Sequence, residues 1–209
     1  MDSQSQPKRK YELKRRADEM ARTRRRITEA AVDLHGTVGP ARTTLSAVAE
    51  LAGVQRHTVY RHFPTDADLF GACSAHWIAA NPLPDLDSWR TISDPHRRLA
   101  TALDELYAYY ERTEPMLSNV LRDAELIEAL RPSLVPMQAF LGETAEIMTA
   151  GWGARGRRRQ VLRHAIAHAI DFHTWRSLAA SGKITRTEAI DLVIALVEAA
   201  AARRRRAAA

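Results

Sequence analysis

What most constrains this chain is where its helix breakers fall. Gly36, Gly39 and Pro40 interrupt one helix-compatible run, Gly53 a second and Pro64 a third. Glycine permits the left-handed turn that ends a helix, and proline cannot continue the hydrogen-bond ladder. Before the first break, Ile27, Ala30, Ala31 and Leu34 recur at three- and four-residue spacing, which predicts an amphipathic helix. After it, Thr43 and Thr44 offer N-cap hydroxyls to a helix of about two turns carrying Leu45, Val48, Ala49 and Leu51. Beyond Gly53 a second short helix is expected from Gln55 to Phe63, with Val59 and Phe63 facing inward. Thr65, three residues before Asp68, then sets a capping-box start for a helix through Leu69, Cys73 and Trp77.

Two short helices joined by a glycine-containing turn, behind a longer helix, describe helix-turn-helix geometry. Val48, Leu51, Val54 and Val59 are expected to lock the short helices against the first. The exposed face of the second would then present Gln55, Arg56, His57, Thr58, Tyr60, Arg61 and His62 to a major groove. Those residue types suit the task. Arginine bonds guanine bidentately, threonine offers a methyl to thymine, and tyrosine and histidine donate to phosphates or base edges.

Charge points the same way. Residues 1–26 hold ten Lys/Arg against four Asp/Glu, an excess equal to the net +6 of the whole chain, so everything after Arg26 sums to zero. Such a basic arm suits a polyanion, either nucleic acid or an anionic membrane surface, with a solvated tail as the bland alternative. From Ile27 to Trp77 the balance reverses to three basic and five acidic residues.

The rest of the chain reads as helix. Glycine and proline number only nine each in 209 residues, and Ala-, Leu- and Arg-rich runs leave little strand-like alternation. An all-α fold is expected: a flexible basic arm at 1–21, a helix-turn-helix domain at 22–80, and a helical regulatory and dimerisation domain at 81–209. Asn81 to Asp94 is the expected connector. Pro95 opens a helix lined by Leu99, Leu103, Leu106 and Tyr110, and Pro115 marks its end. Further helices are expected over 116–130, 132–148 and 157–180, and after the Thr185/Glu188 capping box. In that last helix Ile190, Leu192, Val193, Ile194, Leu196 and Val197 cover most of the circumference, which predicts burial on two sides, the second against another copy of the chain. Arg203 to Arg206 reads as a solvated tail.

Other function classes are weakly supported. The one cysteine, Cys73, cannot form an internal disulfide and fits a reducing cytoplasm. The basic start has no apolar run behind it, and Ala189–Ala202 is broken by Asp191 and Glu198, so neither export nor a membrane span is expected. His164, His168 and Asp171 share one helical face at four- and three-residue spacing, which suits a metal or a polar dimer interface. No glutamate sits between the histidines, and no nucleophile elbow, phosphate loop or paired-cysteine motif occurs, so no cofactor or metal is expected.

The run TTLSAVAELAGVQRHTVYRHF, Thr43 to Phe63, with RRRITEAAVDLH before it, resembles the DNA-binding head of tetracycline-repressor (TetR) family regulators. The likeness is dense over about 50 residues; beyond Trp77 it is one of architecture. It implies that Thr43 and Thr44 meet a phosphate at the start of the second helix, and that Thr58, Tyr60 and His62 face DNA. Where such heads commonly place a phosphate-holding lysine, this chain has Asp66, and Gln55 and His57 also depart from the pattern. Arg22, Arg24, Arg25 and Arg26 are therefore expected to supply much of the electrostatic hold. The resemblance also implies that residues from about Pro95 to Ala202 form a regulatory unit, with an apolar or aromatic small-molecule effector among Tyr107, Tyr110, Met116, Met137, Phe140, Met148 and Trp152. The expectation is a ligand-responsive regulator, acting as a repressor. It would bind a palindromic double-stranded operator as a homodimer through its last two helices, and an effector would release it. A sequence-nonspecific DNA-binding protein and a helical metal-dependent enzyme stay open beside it.

Overall fold

The computed structural model describes residues 6–180 and 182–202. Among them every regular element is helical: α1 Gln6–Thr37, α2 Leu45–Leu51, α3 Arg56–His62, α4 Asp66–Ala80, α5 Leu86–Arg90, α6 Pro95–Asp123, α7 Val135–Thr149, α8 Gly156–Ala169, α9 Phe172–Leu178 and α10 Arg186–Ala201, with 3₁₀ segments at Pro40–Arg42 and Glu128–Leu134. They fall into two compact units. The first holds the residues up to Asn81 together with Pro115–Ser133; the second holds Pro82–Glu114 and the residues from Leu134 onward.

The first unit's core forms where the α1 stripe meets the two short helices. Ile27, Ala30 and Ala31 pack with Val48, Ala49, Ala52, Val59, Phe63, Leu69 and Cys73, and Val54, Leu34 and Leu45 close its edges. Leu51, expected inside, is 52% exposed; with only two turns in α2, the buried positions go to Val48, Ala49 and Ala52. Thr44 caps α2 by accepting the Ala47 N–H at 3.1 Å, and Thr65 with Asp68 forms the reciprocal capping box that starts α4.

In the second unit α10 packs chiefly on α8, and α8 on α7. Leu99, Leu103, Leu106, Tyr107 and Tyr110 of α6 are buried, as are Leu162 and Ile166 of α8 and Val193 and Val197 of α10.

Several boundaries differ from those expected. Residues 6–21, expected as a flexible arm, continue α1 as one 32-residue helix. The connector contains α5, whose Trp89 is buried and donates to Glu105 at 2.9 Å. Pro115 lies inside α6 rather than at its end. A mid-helix proline costs about 3 kcal/mol, and burial of Tyr110, Thr113, Met116 and Leu117 on the flanking turns offsets that cost. The stretch 157–180 is two helices, because Asp171 accepts the His173 N–H at 2.8 Å and caps α9. The Arg203–Arg206 tail lies outside the described residues.

Candidate nucleic-acid interface

The α2–α3 turn is built on Gly53, whose φ of +61° suits glycine. Its stability depends on α1. The Arg26 guanidinium donates to the carbonyls of Ala52 and Gly53 at the end of α2. Arg24 donates to the His62 carbonyl at the end of α3 and sits 4.0 Å from the centroid of the Phe63 ring. Two cations from one helix thus satisfy the carbonyl ends of both short helices, where the helix dipole favours positive charge. Arg25 pairs at 3.7 Å with Glu29 on the surface, and Arg22 is exposed.

With its carbonyl end held, α3 turns its outer face to solvent. Gln55 sits at the N-cap without a side-chain cap bond, and Gln55, Arg56, His57, Tyr60 and Arg61 are exposed while Thr58 is half-buried. Arg56 Nη2 donates to the Tyr60 hydroxyl at 3.1 Å, which holds both polar ends over one patch of the helix. His62 does not join them. It is buried, and burial, followed by the charges of Arg61 and Arg24, pushes its imidazole below its usual pKa. The two threonines before α2 also divide: Thr44 is exposed, whereas the Thr43 hydroxyl is committed to the Gly39 carbonyl at 2.9 Å.

The residues leading into α2 are anchored by the end of α6, through partners that local patterning does not reveal. Asp123, 1% exposed, accepts the Ala41 N–H at 2.8 Å and hydrogen bonds from Arg122 at 2.6 and 3.1 Å. Burial raises its pKa, but the Arg122 and Ala41 hydrogen bonds and the charges of Arg122 and Arg42 outweigh that and hold it below the ordinary carboxylate value. Asn119 donates at 3.0 Å to the carbonyls of both His35 and Gly36 near the end of α1.

The residues expected to line an effector pocket fall in both units. Met116 belongs to the first unit, with its Cε beside Gly36. In the second, the Tyr107 and Tyr110 hydroxyls donate to the carbonyls of Ala169 and Ile170 at 2.9 and 2.7 Å and so close the end of α8. The Phe140 ring centroid lies 6.0 Å from that of Trp89, and the Trp152 ring lies tilted 4.4 Å from that of His96 while donating to the Met148 carbonyl. Met148 is fully buried and Met137 half-buried. The histidine face does not form as a ligand set: α8 ends at Ala169, and Asp171 caps α9 instead. Among the described residues no three His, Cys, Asp or Glu side chains could hold a metal ion, and no helix is long and apolar enough to cross a membrane.

A family model described as bacterial regulatory proteins, tetR family, matches residues 27–73, the segment that forms this head. This segment is similar to the DNA-binding head of TetR-family regulators. Among curated TetR relatives, the probable HTH-type transcriptional regulator ArpR of Pseudomonas putida is 37% identical over 94 residues, 45% of this chain and 39% of that protein. The HTH-type transcriptional regulator TtgR, also of Pseudomonas putida, is 45% identical over 60 residues, which is 29% of each chain. The chain therefore matches well under half the length of these relatives. A Mesorhizobium loti structure described as a TetR-family transcriptional regulator shares the fold with a TM-score of 0.59 at 19% identity, over 87% of this chain and 96% of its own. A Clostridium perfringens structure described as a fatty acid metabolism regulator does so at 0.59 and 14%, over 86% of this chain and 100% of its own.

Proposed function

We propose that this chain is a cytoplasmic, ligand-responsive repressor of transcription that binds a palindromic operator as a homodimer and leaves it when a small apolar or aromatic effector binds. The observation that carries the DNA reading is α3. Its Gln55, Arg56, His57, Tyr60 and Arg61 are exposed together, and Arg24 and Arg26 hold the helix ends behind them. A face held rigidly before it meets DNA loses less entropy on binding, and its Arg and Tyr ends suit base edges and phosphates. Thr44 supplies a hydroxyl at the N-terminus of α2, where the N–H groups and dipole favour a phosphate.

The dimer reading rests on α8 and α10. Val193 and Val197 of α10 are buried within the chain, while Leu192 and Leu196 on its other side are 46% and 56% exposed, as is much of Val161 on α8. Aliphatic side chains left in water on two adjoining helices suit a bundle with a second copy. Two heads related by a two-fold axis would read half-sites one helical turn or a multiple of it apart. The effector reading rests on family habit and on the aromatic character of the second unit.

Competition binding tests the assignment. Labelled duplexes from the region upstream of the chain's own gene should resist displacement by an excess of random-sequence duplex of equal length. Equal competition by both would make the chain a DNA-binding protein without sequence preference.

A further inference from the structure

We infer that the extension of α1 over residues 11–22 is a second DNA-contact element, a rigid spar whose cations grip phosphates flanking the bases that α3 reads. The inference rests on the DNA-binding reading above and extends it to a surface outside the segment matched by the family model, which begins at residue 27.

The first observation is continuity. The extension is not a separate tail but the same 32-residue helix that carries Arg24 and Arg26. Those two side chains are bonded to the ends of α3 and α2, so the residues just before them leave the head in a direction fixed relative to the reading helix. At 1.5 Å per residue, 11–22 spans about 17 Å, or roughly five base pairs of duplex.

The second is exposure. Every residue from Tyr11 to Arg22 is exposed, Leu13 and Met20 included, so nothing in the first unit covers this length of helix. Lys14, Arg15, Arg16 and Arg22 project from it, against Glu12, Asp18 and Glu19. Arg15 and Arg22 are seven residues apart and fall within about 20° of each other around the axis, so they form one edge that can follow a phosphate backbone.

The third is the shortage of cations elsewhere. From Ile27 to Trp77 acidic residues outnumber basic ones five to three, and Asp66 and Asp68 sit at the N-terminus of α4. Arg24 and Arg26 are already bonded to carbonyls, and Arg25 is paired with Glu29. A duplex carries one negative charge per ~1.7 Å of axis, and affinity in physiological salt depends on cations that displace its counterions. The spar adds Lys14, Arg15, Arg16 and Arg22 as exposed cations beside the head.

The full chain with Lys14, Arg15, Arg16 and Arg22 all changed to Gln tests the inference, since glutamine preserves helix propensity while removing charge. A fluorescein-labelled duplex of random sequence, about 30 base pairs long, serves as the probe, because non-specific binding is almost wholly electrostatic and needs no known operator. The slope of log K against log salt should fall in magnitude by about 2, given ~0.9 per neutralised phosphate and at least the Arg15 and Arg22 contacts. Between about 50 and 200 mM salt, the variant should then lose about 16-fold less affinity than the parent does. A control with Arg97, Arg112, Arg155 and Arg157 changed to Gln removes the same charge from the second unit and should leave the slope within about 0.5 of the parent value. Equal losses in both variants, or none in the spar variant, overturn the inference while leaving the regulator reading intact. An unchanged slope with spar-dependent binding to phosphatidylserine vesicles would assign these cations to a lipid surface and overturn it as well. A parent chain that binds neither random nor upstream duplex overturns the regulator reading and this inference with it.

Discussion

Gly53→Ala should cost the head far more than one methyl group suggests, because two effects meet at that position. The residue holds φ at +61°, and a Cβ there would lie 2.8 Å from Arg26 Nη2. Alanine in the left-handed region costs about 1–2 kcal/mol. Displacing the guanidinium also weakens its bonds to the Ala52 and Gly53 carbonyls, worth about 1 kcal/mol net at a partly exposed site. The expected loss is about 2–3 kcal/mol. Gly71, inside α4, is the contrast: a Cβ there meets nothing within 4 Å. Gly71→Ala should stabilise the same unit by about 0.5–1 kcal/mol, since helical glycine carries the larger entropic cost. Hydrogen exchange of the α2 and α3 amides reads both changes. Protection should fall about 30- to 160-fold in Gly53→Ala, at about 1.36 kcal/mol per tenfold, and rise in Gly71→Ala. In an Arg26→Ala background the cost of Gly53→Ala should shrink to the backbone part alone, about 1–2 kcal/mol. Unchanged protection in the single variant, or the same cost in both backgrounds, would refute the account of Arg26 as the cap of α2.

Three other outcomes are expected. Tyr60→Phe removes the hydroxyl that Arg56 holds and should weaken operator binding about tenfold, roughly 1–1.5 kcal/mol, without altering the circular dichroism spectrum; undiminished binding would remove Tyr60 from the interface. Leu192→Asp with Leu196→Asp should convert a dimer to a monomer in sedimentation velocity, because both side chains face outward while Val193 and Val197 keep the fold; an unchanged sedimentation coefficient argues against α10 as the dimer surface. His35 should make the first unit acid-sensitive. Burial, opposed only partly by Asp123, lowers its pKa from 6.5 to about 4, so the unfolded chain binds the proton more readily than the folded one. Stability should be full above about pH 6.5 and decline as pH falls toward about 4, by about 2 kcal/mol at about pH 5. Urea midpoints measured at neutral pH and near pH ~5 should therefore differ in the parent and converge in His35→Asn.

The helix-turn-helix outline is legible in the sequence because its punctuation is local. Gly53 must turn, Thr44 and Thr65 must cap, and Val48 and Val59 must face α1, and each of these needs only its immediate neighbours. Wherever a decision depends on distant residues, local patterning points the wrong way. Pro115 looks like a helix end until Tyr110, Thr113, Met116 and Leu117 are seen to be buried around it. Asp171 looks like a third metal ligand on a helix that in fact stops two residues earlier, where the Tyr107 and Tyr110 hydroxyls close its end. His62 has the spacing of a reading residue, yet it sits beside Phe63 and Arg24 and is buried.

The arginines before Ile27 show why charge is the hardest signal to interpret without coordinates. In the sequence Arg22, Arg24, Arg25 and Arg26 form one basic cluster with one apparent purpose. In the structure their angular positions around α1 separate them: Arg24 and Arg26 face the two short helices and serve as their caps, Arg25 meets Glu29, and Arg22 projects with the exposed helix before it. A guanidinium bonded to a carbonyl keeps its charge, so Arg24 and Arg26 still raise the potential near α3, but their geometry is set by the fold and cannot adapt to a phosphate. Replacing Arg24 or Arg26 should therefore weaken DNA binding mainly by loosening the end of α3 or of α2 respectively, whereas replacing Arg15 or Arg22 should weaken it by lowering the salt slope. These are separable effects of one residue type along one helix.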